Sequence, residues 1–273
     1  MTQVFLEIMR PGNCLMASLA ALIGLLVADS SPEPLTAVLV ALAVFAVTGA
    51  GNAVNDYFDR EIDAVNRPGR PIPSRRISPD RALAWSIILF GAGCLLALFI
   101  NRLALAIALF NSILLYLYAR NLKVMPFAGN LAVGYLTGST FLFGGAAGDD
   151  LKITAFLFLL ASLATLAREI EKDIEDMAGD MKGGAKTLPI VIGERKSSLL
   201  AALFVAVAIG LSYLAPLGRA YLAAVTVADL LFLAALARIL RGEAPKAQKM
   251  LKAGMAAALV AFLVAAASGI GYI

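Results

Sequence analysis

Two acidic segments of the sequence have the residue types and the spacing to bind divalent cations. Each has three aspartates at positions i, i+3 and i+7, and a helix would place such residues along one face. The first set is Asp56, Asp59 and Asp63, and the second, 117 positions later, is Asp173, Asp176 and Asp180. Clustered carboxylates repel one another unless a cation neutralises them. Oxygen ligands of this kind suit Mg²⁺, so the segments predict two or more Mg²⁺ ions that bridge a diphosphate.

Polar side chains near these segments are candidates for binding the diphosphate. The basic candidates are Arg60, Arg67, Arg70, Lys123 and Lys172. Hydrogen bonds from such cations to phosphate oxygens are charge-assisted and therefore strong. Asn13 follows Arg10 and Pro11 at the start of the first apolar stretch, and two roles are open for it: an interhelical hydrogen bond, or substrate binding at the mouth of the same site.

The elements that position these residues are predicted to be membrane-spanning helices. Of the 273 residues, 60% are hydrophobic and 15% are charged, and the mean hydropathy is +0.84. Soluble domains have about half apolar and about a quarter charged residues. This composition excludes a soluble enzyme or a nucleic-acid-binding protein, and the net charge of +4 requires no polyanionic partner. The sequence therefore predicts an all-α polytopic membrane protein that forms a single domain over residues 1–273.

Nine apolar stretches are long enough to cross a bilayer, which takes about 20 helical residues. They cover approximately residues 12–28, 35–54, 82–101, 103–119, 128–147, 151–167, 198–214, 220–237 and 251–271. They are expected to be helices, because hydrocarbon cannot satisfy exposed backbone groups and the period-two alternation of a barrel is missing. Only two connections are long, residues 55–81 and 168–197, and these contain the two acidic segments.

The distribution of lysine and arginine predicts the orientation in the membrane. Alternate loops on one side contain only Arg102, Lys152 and Arg219, whereas the other 20 of the 23 bases share the side of the N-terminus and both long loops. Basic loops stay in the cytoplasm. The N-terminus and the acidic segments are therefore expected to be cytoplasmic and the C-terminus to lie outside the cell membrane. Residues 1–12 are expected to form a short interfacial segment, because they lack the pattern of a signal peptide.

The position of the acidic segments favours a site over a solvated boundary. One acidic helix end at a membrane surface is most often only solvated, but here two with identical spacing lie on the same side, in the only two long loops. Glu61, Glu171 and Glu175 lie off the shared faces and are expected to be solvated. Arg75 and Arg76 are expected mainly to determine topology.

Absent and isolated residue types exclude other kinds of site. The sequence has no histidine, which excludes histidine-based triads and histidine-ligated zinc. Cys14 and Cys94 lie in separate apolar stretches without the spacing of metal ligands, so neither a disulfide framework nor a cysteine metal site is expected. Asp229 lies within the eighth apolar stretch, where a carboxylate is costly, and it therefore indicates a polar interior or a cavity.

With their flanking residues, the acidic segments resemble the two signatures of the UbiA-type intramembrane prenyltransferases. The first is Asn55-Asp56-x-x-Asp59-x-x-x-Asp63 with Asn66-Arg67-Pro68-x-Arg70-Pro71-Ile72-Pro73, and the second is Lys172-Asp173-x-x-Asp176-x-x-x-Asp180 with Lys186-Thr187-Leu188-Pro189. The nine predicted spans extend the resemblance over essentially the whole chain. It implies nine helices around a central cavity, two cytoplasmic cap loops, and Mg²⁺-dependent transfer of a prenyl group from its diphosphate to a lipophilic acceptor.

The resemblance also implies roles for individual residues. All six aspartates would be metal ligands, with Asp56, Asp59, Asp173 and Asp176 as the catalytic ones and Asp63 more peripheral. Asn52, Asn55, Tyr118 and Lys123 would bind the diphosphate substrate. Lys186 would join the arginines of the first long loop, Arg67, Arg70, Arg75 and Arg76, as candidates for binding an acceptor phosphate.

Within the family, the sequence most resembles archaeal members that add a second geranylgeranyl chain to geranylgeranylglyceryl phosphate. The similar features are the compact length, residues 55–63, Gly129-Asn130 and residues 168–176. The implied partners are a prenyl diphosphate, a lipid-phosphate acceptor and membrane lipids, with no nucleic acid and no obligatory protein partner. Two alternatives remain open at this point: an aromatic prenyltransferase acting on 4-hydroxybenzoate or dihydroxynaphthoate, and a cation transporter, which would need carboxylates throughout the bilayer depth.

Overall fold

The computed structural model describes residues 2–268, and this part of the chain contains helices and turns but no β-strand. Its twelve α-helices are α1 (Thr2–Met9), α2 (Pro11–Ala28), α3 (Pro34–Phe58), α4 (Arg60–Asn66), α5 (Pro79–Ile100), α6 (Arg102–Arg120), α7 (Ala128–Ala147), α8 (Leu151–Lys182), α9 (Leu188–Ile192), α10 (Glu194–Ser212), α11 (Gly218–Leu240) and α12 (Ala244–Ala267). A 3₁₀ turn, Leu122–Val124, lies between α6 and α7. The prediction of an all-α fold is confirmed.

Eight of the helices in the described part of the chain are long and apolar enough to cross a membrane: α2, α3, α5, α6, α8, α10, α11 and α12. The remaining predicted span, residues 128–147, is the 20-residue helix α7, which is long enough but contains Asn130 and several glycine, serine and threonine residues. Helix α7 packs between α2 and α8. Nine spans therefore agree broadly with the fold, although the end of the last one, residues 269–271, lies outside the described residues.

Two glycines allow α7 to pack directly against its neighbours. A Cβ atom at Gly144 would lie only 2.0 Å from the carbonyl oxygen of Ala21 on α2. A Cβ atom at Gly145 would lie 2.0 Å from Oγ1 of Thr154 on α8. Small residues at such contacts let helix backbones approach closely inside a membrane. The position of α7, and of Asn130 in its first turn, is therefore fixed by close contact with the backbone of α2 on one side and with Thr154 of α8 on the other.

Helix α8 is much longer than a membrane span. Its 32 residues extend for about 48 Å, whereas the hydrocarbon core of a bilayer is about 30 Å thick. Its apolar part ends at Ala167, so residues 168–182 project beyond the membrane-spanning part. Residues 168–197 were predicted to be a loop, but the first half of this segment continues the helix. An uninterrupted helix is what keeps Asp173, Asp176 and Asp180 on one face.

Helix α1 is a short segment that is anchored to the bundle. Its Ile8 is fully buried, and the ring of Phe5 packs edge-to-face against Trp85 of α5 with a centroid distance of 5.2 Å. Glu7 accepts two hydrogen bonds from Arg76, at 2.5 and 2.7 Å. Arg76, which was expected mainly to determine topology, therefore also ties α1 to the loop before α5.

Candidate active site

A cavity of about 730 Å³ runs through the bundle between α2, α3, α6, α7, α8, α10, α11 and α12. Apolar side chains form most of its wall. Its polar residues include Asn13, Asn52, Tyr118, Arg168 and Lys252. These five lie near the start of α2 and α12 and near the apolar ends of α3, α6 and α8. We call this end of the bundle, which also carries the two acidic segments, the acidic end.

The first acidic cluster, Asp56, Asp59 and Asp63, lies where α3 gives way to α4. Asp56 and Asp63 are buried, and the guanidinium of Arg70 binds both of them, with a distance of 3.2 Å to Oδ1 of Asp56. Asp63, predicted to be peripheral, is therefore an integral part of the cluster. One arginine from the connecting loop holds the two ends of the i, i+7 pair together.

Asp59, at the junction of the two helices, has its own partners. Lys123, in the 3₁₀ turn after α6, forms an ion pair with its Oδ1 atom. The amide of Asn55 donates a hydrogen bond of 2.8 Å to its Oδ2 atom. The structure thus brings Asn55 and Lys123, both predicted from the sequence, into contact with the first cluster.

Arg10 was not among the predicted site residues, yet its guanidinium forms an ion pair with Asp56. Its backbone has a positive φ of 53°, in the left-handed region that non-glycine residues seldom adopt. Such conformations concentrate at functional sites. The sequence contained only a weak signal for it: a basic residue immediately before Pro11, which begins α2. We count Arg10 as part of the site.

The second acidic cluster, Asp173, Asp176 and Asp180, lies on the projecting part of α8. Asp173 accepts a hydrogen bond of 2.8 Å from the amide of Asn130, the buried polar residue in the first turn of α7. Burial raises the pKa of the Asp173 carboxyl to about 6. Burial, and then the nearby Asp176 carboxylate, raise the pKa of Asp180. Both shifts show carboxylates whose charge the protein alone does not fully stabilise.

Two connections link the clusters to each other at the acidic end. The hydroxyl of Tyr118 lies within electrostatic range of Asp59 of the first cluster and Asp173 of the second. The backbone N–H of Lys186 donates a hydrogen bond of 3.1 Å to the carbonyl of Val124, next to Lys123. The loop after α8 is therefore held against the turn that carries the cation bound to Asp59.

The donor set of the two clusters fits Mg²⁺ without a closed protein cage. Between residues 2 and 268, no group of three or more Asp, Glu or Cys side chains is close enough to hold one metal ion. Mg²⁺, however, is usually bound by one or two carboxylates together with substrate phosphates. Hard oxygen donors on two opposed helical segments suit that arrangement.

Other predicted residues are distributed unevenly around the clusters. Asn52 lines the cavity and donates a 2.8 Å hydrogen bond to the carbonyl of Met9. The Nζ atom of Lys172 lies 3.6 Å from Oε2 of Glu169. Arg60 forms no ion pair with an aspartate of either cluster among the described residues; it donates a hydrogen bond to the Tyr57 carbonyl at 2.9 Å and lies over the ring of the same residue. The structure also brings neither the exposed Arg67 side chain nor the exposed Lys186 side chain to a carboxylate, as far as the described residues extend.

Two carboxyl groups lie apart from the clusters and are buried. Glu171 was expected to be solvated, and that prediction was wrong: it is fully buried, and neither of its oxygens accepts a hydrogen bond from the described residues. The cause is that α10 packs on this side of the extended α8, which raises the pKa of Glu171 to about 7. Asp229 lines the cavity and accepts a 2.8 Å hydrogen bond from Ser212, which agrees with the predicted polar interior. Glu61 and Glu175 are exposed, as expected.

Comparisons with known proteins agree with this arrangement. A model of the UbiA prenyltransferase family matches residues 17–263. The digeranylgeranylglyceryl phosphate synthase of Methanothrix thermoacetophila is 60% identical, covering 95% of this chain and 97% of the relative. Relatives with the same name from Methanococcoides burtonii (97% of this chain, 100% of the relative) and Thermococcus kodakarensis (96% and 98%) are 51% and 44% identical.

Solved structures show the same fold. One, described as digeranylgeranylglyceryl phosphate synthase in membranes, superposes with a TM-score of 0.89 at 42% identity and covers 98% of this chain and 99% of its own. A UbiA homologue from Archaeoglobus fulgidus bound to GPP and Mg²⁺ superposes with a TM-score of 0.73 at 17% identity, covering 95% of this chain and 99% of its own. At that identity the second likeness is one of fold.

Proposed function

The chain belongs to the UbiA prenyltransferase family, and from that premise we propose that it transfers a geranylgeranyl group from geranylgeranyl diphosphate to geranylgeranylglyceryl phosphate. The chain is a multi-pass membrane prenyltransferase. The acceptor atom is the free glycerol hydroxyl, and the product contains the second ether bond of an archaeal membrane lipid. The observation that carries the proposal is the shared name of relatives that are 44–60% identical over nearly the full length.

In the proposed reaction, the bond between C1 of the prenyl group and the diphosphate oxygen breaks, and the diphosphate leaves with the electron pair. The resulting allylic cation is attacked by the glycerol oxygen, which forms the ether bond and loses its proton. An alcohol is a weak nucleophile, so a well-developed cation is needed before it attacks. The leaving group must therefore be strongly stabilised as its charge develops.

The two acidic clusters supply that stabilisation in our proposal. Asp56 and Asp59 on one side, and Asp173 and Asp176 on the other, would hold two or more Mg²⁺ ions against the diphosphate, with Asp63 and Asp180 completing the two sets. Mg²⁺ held by these carboxylates would supply positive charge that offsets the negative charge of the departing diphosphate. Three basic residues form ion pairs with the first cluster: Arg10, Arg70 and Lys123. In the proposed complex they would also donate hydrogen bonds to the oxygens of the diphosphate.

The cavity beneath the clusters suits the prenyl tail. Its wall is mostly apolar along α2, α3, α7 and α12, and its basic side chains, Arg168 and Lys252, lie at the acidic end. A geranylgeranyl chain placed along it would bury its apolar surface while its diphosphate stayed beside the aspartates. A water-poor chamber of this kind would also protect an allylic cation from hydrolysis. Tyr118, which lies at the junction of cavity and clusters, would contact the reacting end of the chain.

The proposal is tested with purified protein in detergent. The protein is given Mg²⁺, geranylgeranyl diphosphate and either geranylgeranylglyceryl phosphate or 4-hydroxybenzoate, and the product is identified by mass spectrometry. We expect the diether phosphate from the first acceptor and no prenylated acid from the second. A product from the aromatic acid alone would overturn the proposal in favour of quinone synthesis, which the names of the relatives do not favour.

A further inference from the structure

We propose that Lys252 of α12, together with Arg168 of the neighbouring helix α8, binds the phosphate group of the acceptor lipid. The inference rests on the proposed function, because that reaction has two anionic substrates. The candidates for the acceptor phosphate that the sequence suggested are the arginines of the first long loop and Lys186, and neither Lys252 nor Arg168 is among them.

Lys252 faces the cavity because of its position on α12. The α12 residues that line the cavity are Lys252, Met255, Ala256, Ala258, Leu259 and Phe262. Lys252, Met255, Leu259 and Phe262 have the spacing i, i+3, i+7 and i+10, so they share one face of the helix. Lys252 is the first member of this stripe, at the acidic end, and the other members are apolar. A lipid whose tail lay along the stripe would place its headgroup beside the lysine ammonium.

Arg168 has the corresponding position on α8. It follows Leu160, Ala161 and Ala164 along the cavity-lining face of that helix and is its last member there. Helices α8 and α12 pack against each other, so the two cations lie on adjacent walls at the same end of the cavity. The guanidinium of Arg168 forms an ion pair with Glu169, which holds it at the wall.

The diphosphate already has cations of its own on the other side of the acidic end. Arg10, Arg70 and Lys123 come from the start of α2, the loop after α4 and the turn after α6, and all bind the first acidic cluster. Lys252 makes no ion pair with any residue of the described chain. It is therefore available for an anion that the aspartates and their basic partners do not serve.

A phosphomonoester matches this pair of cations. It carries more than one negative charge and offers several acceptor oxygens, so a lysine and an arginine can bind it at once. With its phosphate at Lys252 and its tail in the apolar part of the cavity, the acceptor would present its glycerol hydroxyl between the phosphate and the diphosphate site. Such positioning converts the encounter of two lipids into an oriented reaction.

The test compares Lys252→Met and Lys252→Arg with the unchanged protein. We expect Lys252→Met to raise the KM for geranylgeranylglyceryl phosphate about tenfold or more, which is the usual effect of losing a charge-assisted contact. The KM for geranylgeranyl diphosphate should stay within about twofold, and Lys252→Arg should restore most of the acceptor affinity. The matched control is Lys249→Met, one turn earlier on α12, since Lys249 is exposed, as Lys252 is, but does not line the cavity.

A binding measurement in EDTA separates this site from the aspartate site. Without metal, Lys252→Met should weaken binding of geranylgeranylglyceryl phosphate but leave binding of geranylgeranylglycerol, which lacks the phosphate, unchanged. A bulk diacyl phospholipid should not compete, which distinguishes the substrate from a membrane headgroup. An unchanged acceptor KM in Lys252→Met, or an increase confined to the diphosphate, would overturn the inference. If the unchanged protein makes no diether phosphate at all, the proposed function itself has failed.

Discussion

Basic residues that pair with the carboxylates of the first acidic cluster balance its negative charge. Arg70 bridges Asp56 and Asp63, Lys123 binds Asp59, and Arg10 adds a second cation at Asp56. The second cluster differs: Asp173 has a neutral amide as its hydrogen-bond partner, and its pKa is raised to about 6. The two clusters therefore contribute differently, with the second one supplying carboxylates that gain most from an added cation.

Because of this difference, we expect turnover to be sensitive to substitution of Asp173. We expect Asp173→Asn to lower kcat about 100-fold or more, because it removes a charge that holds the metal against the leaving diphosphate. The matched control is Glu175→Gln, two residues further along α8, whose carboxylate is exposed. The measurement is the turnover of both variants with saturating substrates and Mg²⁺. Full turnover by Asp173→Asn would contradict the metal-site proposal.

Arg10 gives a second prediction at the same scale. Arg10→Met removes one cation from Asp56 without altering the aspartates, so the KM for geranylgeranyl diphosphate should rise about tenfold. Arg76→Met is a suitable comparison, since Arg76 binds Glu7 and lies outside the clusters. We expect that variant to change KM little. Equal KM values for the Arg10 variant and the unchanged protein would remove Arg10 from the substrate site.

At the scale of the elements, the site depends on α7 and on the extended α8. Helix α7 brings Asn130 to Asp173, and it is fixed there by glycine contacts with α2 and α8. Helix α8 continues past its apolar part over residues 168–182 and carries the second cluster on this uninterrupted helical segment. In the two long connections, 55–81 and 168–197, the parts that carry the aspartates are thus largely helical.

The close approach at Gly144 can be tested directly. Gly144→Ala would put a methyl group into the backbone of α2, and we expect it to destabilise the protein by about 3 kcal/mol or more. Gly210→Ala in α10 is the control, because a Cβ there meets no atom within 4 Å. Thermal unfolding in detergent should show a lower Tm for the first variant only. A similar Tm for the two variants would show that α7 is not held as described.

These elements also show what the sequence could and could not predict. Apolar length and the spacing of the aspartates were sufficient for the helical membrane fold and for both acidic faces, because each depends on local periodicity. Arg10 and Asn130 were missed because each reaches an aspartate of another helix through a contact that only the packing creates. Glu171 was misjudged for the same reason, since its burial depends on α10.

The whole molecule has a strong asymmetry between its two ends. The acidic end carries both clusters and 20 of the 23 basic residues, whereas Arg102, Lys152 and Arg219 belong to the opposite side. By the rule that basic loops remain in the cytoplasm, we propose that the acidic end is cytoplasmic.

Labelling of single cysteines checks this orientation. In a variant with Cys14 and Cys94 replaced by alanine, Arg102→Cys should react with a membrane-impermeant maleimide in intact cells. Arg67→Cys should react only after the membrane is permeabilised, although both positions are exposed in the structure. The reverse pattern would place the active site outside the cell.

The ion pairs of the first cluster should allow the protein to stay folded without metal. Many acidic sites hold their fold only while a metal neutralises them, so that chelators unfold the protein. Here Arg10, Arg70 and Lys123 act as built-in counter-ions. The detergent-solubilised chain should therefore keep a cooperative thermal transition in EDTA while losing its turnover. It can then be purified metal-free and reconstituted, with metal dependence measured on a folded protein.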